Sequence, residues 1–445
     1  MPKISAPNVK IPCASDAIAV EHSAKLVRHL IATRKIKSGE ILILEKPHCS
    51  ILDQRSIYTY CSHCLQISWT LIPCKYCVYA AYYSELCRDK AWNEYHEIEC
   101  SIMGFLLCFS VPEQYWLGVR LTIMISQKGM KLATLKEELA HVDRFKGPHT
   151  KENSNDGKFC NDQYRNIYTL PNNVGSSFVL KQLVSVLWCA LSICMIGRET
   201  EMFGKKMEVN YTFTKNPHVI FVGELMLRNV DITLMKATVF GASCRSASYD
   251  HGLALLALCR LANHSCDPNT IEQWYTDHLA LYAAYPIEKG EQIFRSYVPR
   301  YIVMEKSTRR GRLQDRNLMC ECIPCKEDWP TLVTYCSYKQ KAVTQEAKTK
   351  IDAFLQQYLV THSDFLQKDI TQNIPNIIIE VIKMIELLHN LVQKPCSELD
   401  MAVTMLKDLY AAADIVYDYV PVTPPGITIQ CLVFYASLQH TLSKN

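Results

Sequence analysis

The sequence has little net charge and no strong excess of one sign. Its 445 residues contain 48 Lys and Arg against 44 Asp and Glu, so the formal net charge is +4. That value is small for the length and favours neither nucleic acid nor a membrane surface strongly. The 49% hydrophobic and 21% charged fractions exclude a largely disordered chain. A chain of this length is too long for a single core, and we expect two to four packed units.

The sequence also lacks a long apolar run. The best candidate for a membrane span, residues 183–196, is shorter than the roughly 20 residues that a bilayer requires, and Lys181 and Arg198 bound it. We therefore expect a buried helix there, and no membrane partner. The chain begins Met-Pro-Lys-Ile-Ser-Ala, without a basic start and an apolar signal core. The 21 cysteines are accordingly expected to be metal ligands or thiols in a reducing compartment.

What the sequence does contain is cysteine at the spacing of zinc ligands. Cys266 lies in the run Asn-His-Ser-Cys-Asp-Pro-Asn at 263–269, and a Cys-x-Cys-x2-Cys group follows at Cys320, Cys322 and Cys325. One upstream thiolate and such a group supply the four soft ligands of a tetrahedral zinc, which then holds the later segment over the earlier one. The alternative is a polar Asx-Pro turn at 263–269 and ordinary buried thiols.

A second group of zinc-type residues lies between positions 61 and 100. It contains two Cys-x2-Cys pairs, a single cysteine and a His-x3-Cys, namely Cys61, Cys64, Cys74, Cys77, Cys87, His96 and Cys100. This spacing is typical of a compact module with two interleaved zinc sites.

The second group resembles a MYND finger. In that family the third, fourth, seventh and eighth ligands hold one zinc, which implies a complete site here at Cys74, Cys77, His96 and Cys100. The other site keeps the cysteines at 61, 64 and 87, but its fifth ligand is missing, because the family's Tyr-Cys-Ser reads Tyr-Tyr-Ser at 82–84. The phenol of Tyr83 is protonated at neutral pH and is a poor zinc ligand, and His63 would have to bend away from its own loop. The resemblance therefore implies two tight zinc sites and a third that is incomplete.

Together the two groups resemble the SET and MYND (Smyd-type) protein-lysine methyltransferase family over most of the chain. Residues 27–40 are similar to its first strand pair, with a turn at Gly39, and residues 287–297 are similar to its late strand and Ser-Tyr signature. Alternating apolar and polar residues at 279–285 predict a half-buried strand. The resemblance implies an α+β fold, in which a MYND zinc finger interrupts a β-rich SET fold and an α-helical, tetratricopeptide-like domain follows.

The resemblance and the composition predict six segments. They are the N-terminal part of the SET domain at 1–57, the finger at 58–100, a helical insertion at 101–220 with a polar loop at 146–177, the core SET domain at 221–300, the post-SET zinc segment at 301–330 and the helical domain at 331–445. A Val-Pro pair at 111–112 is expected to break the first inserted helix. The basic run at 309–312 is expected to be a solvated helix face.

The resemblance also implies a pocket for S-adenosyl-L-methionine beside a tyrosine that orients the reacting groups. That tyrosine is Tyr297, and its hydroxyl can act as an oriented dipole because a phenol titrates at about pH 10. Methyl transfer needs the donor held in line with a deprotonated amine in a narrow channel, without an acid-base triad. The implied donor-pocket residues are Arg28, His29, Asn229, Asn263, His264 and Leu318.

Two donor-pocket positions depart from the family pattern. Val27-Arg28-His29 stands where most active members have at least one glycine, so side chains occupy the space that glycine leaves. Leu318 replaces the aromatic residue that stacks on adenine, and such stacking is worth about 1–3 kcal/mol. Arg28 can still supply a guanidinium to a carboxylate.

Two functions from different classes therefore stay open. One is a protein-lysine N-methyltransferase that acts on a histone or other protein and regulates transcription, which the 263–269 run, Tyr297 and the four late zinc ligands favour. The other is a catalytically weak or inactive adaptor that binds protein partners through its finger and helical domain, which residues 27–29, Leu318 and Tyr83 favour. For either we expect a monomer of the cytoplasm and nucleus, corepressor-type partners at the finger and no direct binding of nucleic acid.

Overall fold

The computed structural model of the chain describes residues 1–23, 27–127, 132–144, 163–170, 179–244, 247–314, 316, 318–331, 336–367 and 374–418. Its strands fall in two groups, separated by a helical stretch. The first group is β1 (Ile18–Ser23), β2 (Val27–Ala32), β3 (Ile41–Glu45), β4 (Cys49–Leu52), β5 (Ile72–Pro73) and β6 (Ala81–Tyr82). The second is β7 (Thr238–Cys244), β8 (Ala247–Leu255), β9 (Asn263–His264), β10 (Thr270–Tyr275), β11 (His278–Ala283) and β12 (Phe294–Arg295).

Strands of the two groups pair with one another, so residues far apart in the sequence share sheets. β3 lies antiparallel beside β11, and β4 lies antiparallel beside β8, which gives the strand orders β10-β11-β3 and β4-β8-β7. β1 and β2 form a hairpin, whereas β9 and β12 form a short parallel pair. The finger and the helical stretch are therefore insertions between strands of one β-rich unit, as expected of an interrupted SET fold.

The inserted stretch is helical. Its elements are α1 (Glu85–Ala91), a π-helical turn (Trp92–His96), α2 (Glu97–Cys108), α3 (Glu113–Gln127), α4 (Leu132–Arg144), α5 (Tyr164–Tyr168), α6 (Val179–Glu199), α7 (Tyr211–Lys215) and α8 (Pro217–Lys236). The Val-Pro pair at 111–112 separates α2 from α3, because proline cannot continue a helix. The Asn216 side chain caps α8 and Pro217 occupies its first turn, a favoured helix start. α5 lies inside the predicted polar loop, and residues 145–162 and 171–178 of that region lie outside the described residues.

Helix α6 differs from the buried helix that was predicted at 183–196. It has 21 residues, and among the described residues it is the helix that is long and apolar enough to cross a membrane by length and composition. One side packs on α2 and α8 and buries Ile193 and Ile196. The other side exposes 62% of Leu183 and 53% of Leu187. The prediction of burial is wrong for this side, because α2 and α8 both pack on the opposite one.

The C-terminal part is also helical. It contains α9 (Lys306–Gln314), α10 (Ile323–Lys326), α11 (Gln345–Gln367), α12 (Ile374–Leu391) and α13 (Ser397–Asp418). α12 is an amphipathic helix that packs on α13 and buries an apolar stripe, which includes Ile377, Val381 and Ile385. Three consecutive helices, α11 to α13, are thus present, while a tetratricopeptide-like arrangement stays a prediction. Residues 419–445 lie outside the described part of the chain.

The strand at 278–283 is buried on both faces, so the prediction of a half-buried strand is wrong. Leu279 and Leu281 face the main core, whereas Ala280 and Tyr282 face the C-terminal helices. The Tyr282 ring stacks on Tyr410 of α13 with the ring centroids 4.0 Å apart. Alternate residues of β11 therefore contact two different buried surfaces, the main core and the C-terminal helices.

The turn before β3 brings the C-terminal helices against the sheet. Gly39 has a φ of +83°, and a Cβ at this position would collide with the Ile382 side chain of α12. Only glycine adopts this conformation readily and leaves the space that Ile382 fills. The turn that was predicted from the Gly39 sequence is thus a contact point between the two parts of the molecule.

Candidate active site and thiol clusters

The four late cysteines form one cluster although they come from distant segments. Cys266 follows β9, while the other three lie in and before α10. The Sγ atom of Cys266 lies 4.0 Å from that of Cys320 and 3.6 Å from that of Cys325. The backbone N–H of Cys266 donates to Sγ of Cys322 at 3.4 Å, and thiol hydrogen bonds, first from Cys266, hold the pKa of Cys322 well below its usual range.

An arginine that the sequence analysis placed on a solvated face completes this cluster. Arg309 is buried, and its Nε donates to Sγ of Cys266 at 3.2 Å. The guanidinium also donates to the carbonyl of Met304. The prediction is wrong for Arg309, because the negative charge of the thiolates compensates the buried guanidinium. The prediction of a solvated helix face agrees with the structure at Arg310 and Arg312, which are exposed.

The finger brings a second complete set of ligands together. Its members are Cys74, Cys77, His96 and Cys100, whose ligand atoms all lie within 4.8 Å of one another. Nε2 of His96 lies 3.5 Å from Sγ of Cys77, and hydrogen bonds, first from Cys100 and then from His96, lower the pKa of Cys77 to about 4.

A buried carboxylate lies behind the histidine of this set. Oε2 of Glu99 lies 3.6 Å from Nδ1 of His96. Arg120 holds the same carboxylate through two bonds of 2.8 and 2.7 Å, and the Trp116 indole donates to it at 2.7 Å. A carboxylate beside the second ring nitrogen is a common way to orient a metal-binding histidine.

The third set has three members. Cys61, Cys64 and Cys87 cluster, and within the described residues no fourth His, Cys, Asp or Glu joins them. Hydrogen bonds, first from the Cys64 thiol and then from backbone N–H groups, lower the pKa of Cys61 to about 6. The Tyr83 side chain is 52% exposed, and His63 contributes its backbone N–H to Cys61 at 3.4 Å.

The donor sets can be tested against the dimensions of a zinc site. Zinc–sulfur bonds of about 2.3 Å in a tetrahedron give sulfur–sulfur edges of about 3.8 Å. The separations of 3.6 and 4.0 Å in the late cluster, and the 4.0 Å between Cys74 and Cys100 in the finger, fit this geometry. Two clusters therefore have the dimensions and the four ligands of a zinc site, whereas the cluster of Cys61 offers three ligands.

Tyr297 lies beside the Asn-His pair of the 263–269 run. Its hydroxyl donates to the carbonyl of Ala262 at 2.8 Å, and its backbone N–H donates to Nδ1 of His264 at 3.0 Å. Because Nδ1 accepts, the neutral His264 ring carries its proton on Nε2, which faces Sγ of Cys266 at 3.3 Å. Burial lowers the pKa of His264 to about 4 and raises that of Tyr297, so both are neutral at pH 7. The late thiol cluster thus fixes the ring that positions Tyr297.

A cleft of about 1100 Å³ opens at this point between the strand pair β9-β12, the late cysteines and α12. Asn263, His264, Tyr297 and Leu318 line it. Nδ2 of Asn263 is buried and has no hydrogen-bond partner within the structure described. An unsatisfied donor at a cleft wall fits a ligand that brings a polar acceptor.

Arg28 and His29 lie on β2, which contacts the turn at 259–261 that leads into Asn263. The Arg28 guanidinium donates to the carbonyl and the hydroxyl of Thr169 at 3.1 and 3.0 Å. His29 is buried, with Nε2 3.4 Å from Glu21 and with Nδ1 unpaired in the described part of the protein. Arg28 is therefore engaged by Thr169, which follows α5, whereas His29 keeps one unpaired buried nitrogen, and neither residue is among those that line the cleft.

The structure does not bring Asn229 into the cleft. It is buried on α8, where its Oδ1 accepts from the Tyr164 hydroxyl at 2.6 Å and its Nδ2 donates to Thr122 at 3.0 Å. The amide ties α3, α5 and α8 together, and Asn229 is not among the residues that line the cleft. The predicted donor contact is therefore not supported by this geometry.

Sequence reasoning missed the group that holds the turn before Asn263. The carboxylate of Glu45 is buried and accepts from the backbone N–H groups of Ala257, Leu258 and Cys259 at 2.6, 2.8 and 2.7 Å. Glu45 ends β3, and nothing in the local sequence indicates which backbone its carboxylate would bind. It positions the backbone that carries Ala262 and Asn263.

Comparisons with known proteins agree with this architecture. The SET domain family model matches residues 27–298. A protein-lysine N-methyltransferase SMYD4 from Pongo abelii is 26% identical over 384 residues, covering 72% of this chain and 47% of the relative. A histone-lysine N-methyltransferase SMYD3 from Mus musculus is 23% identical over 298 residues, covering 67% and 58%.

The chain thus spans about half the length of the SMYD4 relatives that it matches. A solved structure of the SET domain of LSMT bound to lysine and AdoHcy matches at 12% identity with a TM-score of 0.27, covering 63% of this chain and 49% of that one. The assignment comes from the family model, which matches more than half of the chain, and from the similarity of its relatives. The chain belongs to the SET-domain family, and its relatives within that family are of the SET and MYND (Smyd) type.

Proposed function

We propose that the protein is an S-adenosylmethionine-dependent protein-lysine N-methyltransferase. The observation that carries the proposal is the bond from the Tyr297 hydroxyl to the Ala262 carbonyl beside the unsatisfied amide of Asn263. This places an oriented phenol at the wall of a cleft, where a lysine amine can be aligned. The named activities of the SMYD4 and SMYD3 relatives support the same reaction class.

In this proposal each residue near the cleft has a role that its contacts allow. The neutral Tyr297 hydroxyl orients the amine without ionising, because burial raises its pKa. His264 holds the backbone of Tyr297 in place, and Glu45 holds the turn that presents Ala262. The Asn263 amide at the cleft wall is available to the donor, which would supply the methyl group when bound. Zinc at the late cluster holds the wall that carries Leu318.

The substrate is proposed to be a protein lysine, on a histone or another protein, because the relatives are named for protein-lysine and histone-lysine methylation. A role in transcriptional regulation and a location in the nucleus and cytoplasm follow as parts of the same proposal. Corepressor-type partners at the finger would suit its exposed aromatic residues, among them Trp69 and Tyr76.

An adaptor without catalysis is the second candidate. Arg28, which the family resemblance assigns to a donor carboxylate, is engaged by Thr169, and Leu318 provides no aromatic face at the cleft. Both features would weaken binding of the methyl donor, and neither affects the finger or the C-terminal helices. In this case the finger and those helices would carry the function.

Calorimetric titration with S-adenosylmethionine and a methyl-transfer assay on histones together test the proposal. The wild type should bind the donor and transfer methyl groups. Tyr297→Phe should keep donor binding and lose transfer by about 10²-fold or more, since its hydroxyl acts on the reacting groups alone. Tyr211→Phe, at an exposed tyrosine of α7, is the matched control. Absence of donor binding at millimolar concentration would favour the adaptor.

A further inference from the structure

Three arginine side chains interact electrostatically with Tyr297, and a lysine interacts with two of those arginines. They are Lys236 at the end of α8, Arg260 in the turn at 259–261, Arg295 in β12 and Arg316 after α9. The Arg260 guanidinium lies 5.7 Å from the centre of the Tyr297 ring, and that of Arg295 lies 6.0 Å from it. We name these four residues the cation cluster.

The cation cluster has a single acidic partner. Both oxygens of Glu272 accept from Arg295 at 2.7 Å. Arg260 donates to the hydroxyl of Thr238, and no carboxylate of the described chain lies within ion-pair distance of Arg260, Arg316 or Lys236. Among the residues that the structure describes, four cations and one carboxylate leave a charge of +3 in this cluster.

Two of the guanidinium groups also keep unsatisfied donors. Arg260 is 6% exposed and its Nε has no hydrogen-bond partner, and Arg295 is 2% exposed with one terminal nitrogen unpaired, as far as the described residues go. Burying an unpaired charge costs several kcal/mol, so a folded protein normally supplies a counter-charge. Burial and then the neighbouring Arg260 and Arg316 lower the pKa of Lys236 to about 8, as expected where no anion offsets them.

We propose that the cation cluster is a binding site for a phosphate-bearing anion. A phosphate group carries close to two negative charges at neutral pH and offers three acceptor oxygens. Guanidinium groups match that geometry with paired N–H donors, and the open nitrogens of Arg260 and Arg295 are such donors. Lys236 and Arg316 are half-buried, so the cluster reaches the protein surface at these two residues. A singly charged carboxylate would offset a smaller part of the +3.

This site borders the proposed methyl-transfer site at Tyr297, but binding of an anion there does not depend on that activity. The positively charged sulfonium of a methyl donor would be disfavoured near the cation cluster, and a bound anion would relieve that repulsion. The anion itself needs neither the donor nor a protein substrate. Its binding can therefore be measured on the full chain alone.

Thermal unfolding of the full chain in inorganic phosphate, against chloride at equal ionic strength, tests the site. Phosphate should raise the Tm of the wild type more than chloride does, because it binds the folded state. Arg260→Met and Arg316→Met should each weaken phosphate binding by about tenfold or more, through lost charged hydrogen bonds. Arg310→Met removes the same charge from an exposed position of α9 and should keep the wild-type response.

A second signature separates a bound anion from the general effect of phosphate on protein stability. Without phosphate, Arg260→Met should melt at a higher temperature than the wild type, since it removes an uncompensated buried charge. Added phosphate should then narrow this difference. An equal response to phosphate in the wild type, Arg260→Met and Arg310→Met would overturn the proposal, and so would a wild type that responds to phosphate no more than to chloride. Arg316→Met gives the same comparison at a half-buried residue if Arg260→Met does not fold.

Discussion

The thiol clusters and the cation cluster present opposite electrostatic problems. In the late cluster and the complete finger site, four ligand atoms lie close enough to share one zinc, and Arg309 or Glu99 further orders the ligands. In the cation cluster beside Tyr297, four basic side chains share one carboxylate among the described residues. The first arrangement is completed by a cation and matches the family pattern, whereas the second calls for an anion.

The comparison separates a region that supports the cleft from a region that concentrates positive charge. The late thiol cluster supports the segment that carries Leu318 and, through His264, the backbone of Tyr297. One wall of the cleft therefore rests on the late thiol cluster. The cation cluster lies beside Tyr297 and concentrates positive charge there.

The largest effect is expected from breaking the late cluster. Cys322→Ser should release its zinc and unfold residues 300–328, because structural zinc contributes on the order of 10 kcal/mol to small metal-nucleated units. Limited proteolysis should show faster cleavage in this segment, and metal analysis should show one zinc fewer. Cys108→Ser, at an exposed cysteine outside the clusters, is the control. Unchanged proteolysis in both variants would show that the four cysteines do not hold a structural metal.

The incomplete finger site should gain a metal when its missing ligand is restored. We expect two chelator-resistant zinc ions in the wild type and three in Tyr83→Cys, because a fourth thiolate completes the cluster of Cys61. Plasma emission analysis measures this ratio. Tyr58→Cys, at another exposed tyrosine, should leave it at two. Three resistant zinc ions in the wild type would mean that Tyr83, His63 or another group already completes the site.

Within the pocket, Asn263→Ala should weaken donor binding. Its amide is unsatisfied at the cleft wall, and a hydrogen bond there is worth about 1–3 kcal/mol, or about tenfold in affinity. The variant should lose the Tm increase that S-adenosylmethionine gives the wild type. Asn390→Ala, on the α12 side of the same cleft, should retain it.

If the donor does not stabilise the wild type, Val27→Gly together with Leu318→Phe should restore binding. Glycine at 27 reopens backbone space and phenylalanine at 318 restores stacking, which is worth about 1–3 kcal/mol. Calorimetric titration of the double variant measures the gain. No gain would indicate that the cation cluster, and not these two positions, excludes the donor.

The smallest effect is expected from Lys236→Met and depends on pH. The pKa of Lys236 falls from 10.5 to about 8 in the folded protein, because burial disfavours its charge. This destabilisation is fully present below pH 8 and disappears as the pH rises from 8 towards 10.5. Lys236→Met should therefore raise the Tm by a few degrees at neutral pH and by less at about pH 9.5. Lys289→Met, at an exposed lysine, should show no such dependence of the Tm on pH. If the Tm gain of Lys236→Met stays constant with pH, packing and not charge causes it.

The sequence by itself determined the features that depend on local spacing. Two residues between paired cysteines place both thiols in one knuckle, so the grouping of the zinc ligands, including the missing fourth ligand beside Cys87, is readable from positions 61–100. The break at 111–112 and the turn at Gly39 follow from the backbone restrictions of proline and glycine. The position of Tyr297 beside the Asn-His pair came from the family resemblance.

The tertiary structure alone decided the features that depend on contacts between distant segments. It buries Arg309 against Cys266, engages Asn229 between Tyr164 and Thr122, and covers both faces of β11. It also gathers the cation cluster from four separate parts of the chain. No spacing rule in the sequence connects positions 236, 260, 295 and 316. Charge and burial at a point are sums over all neighbouring chain segments, so they become defined only when the fold brings those segments together.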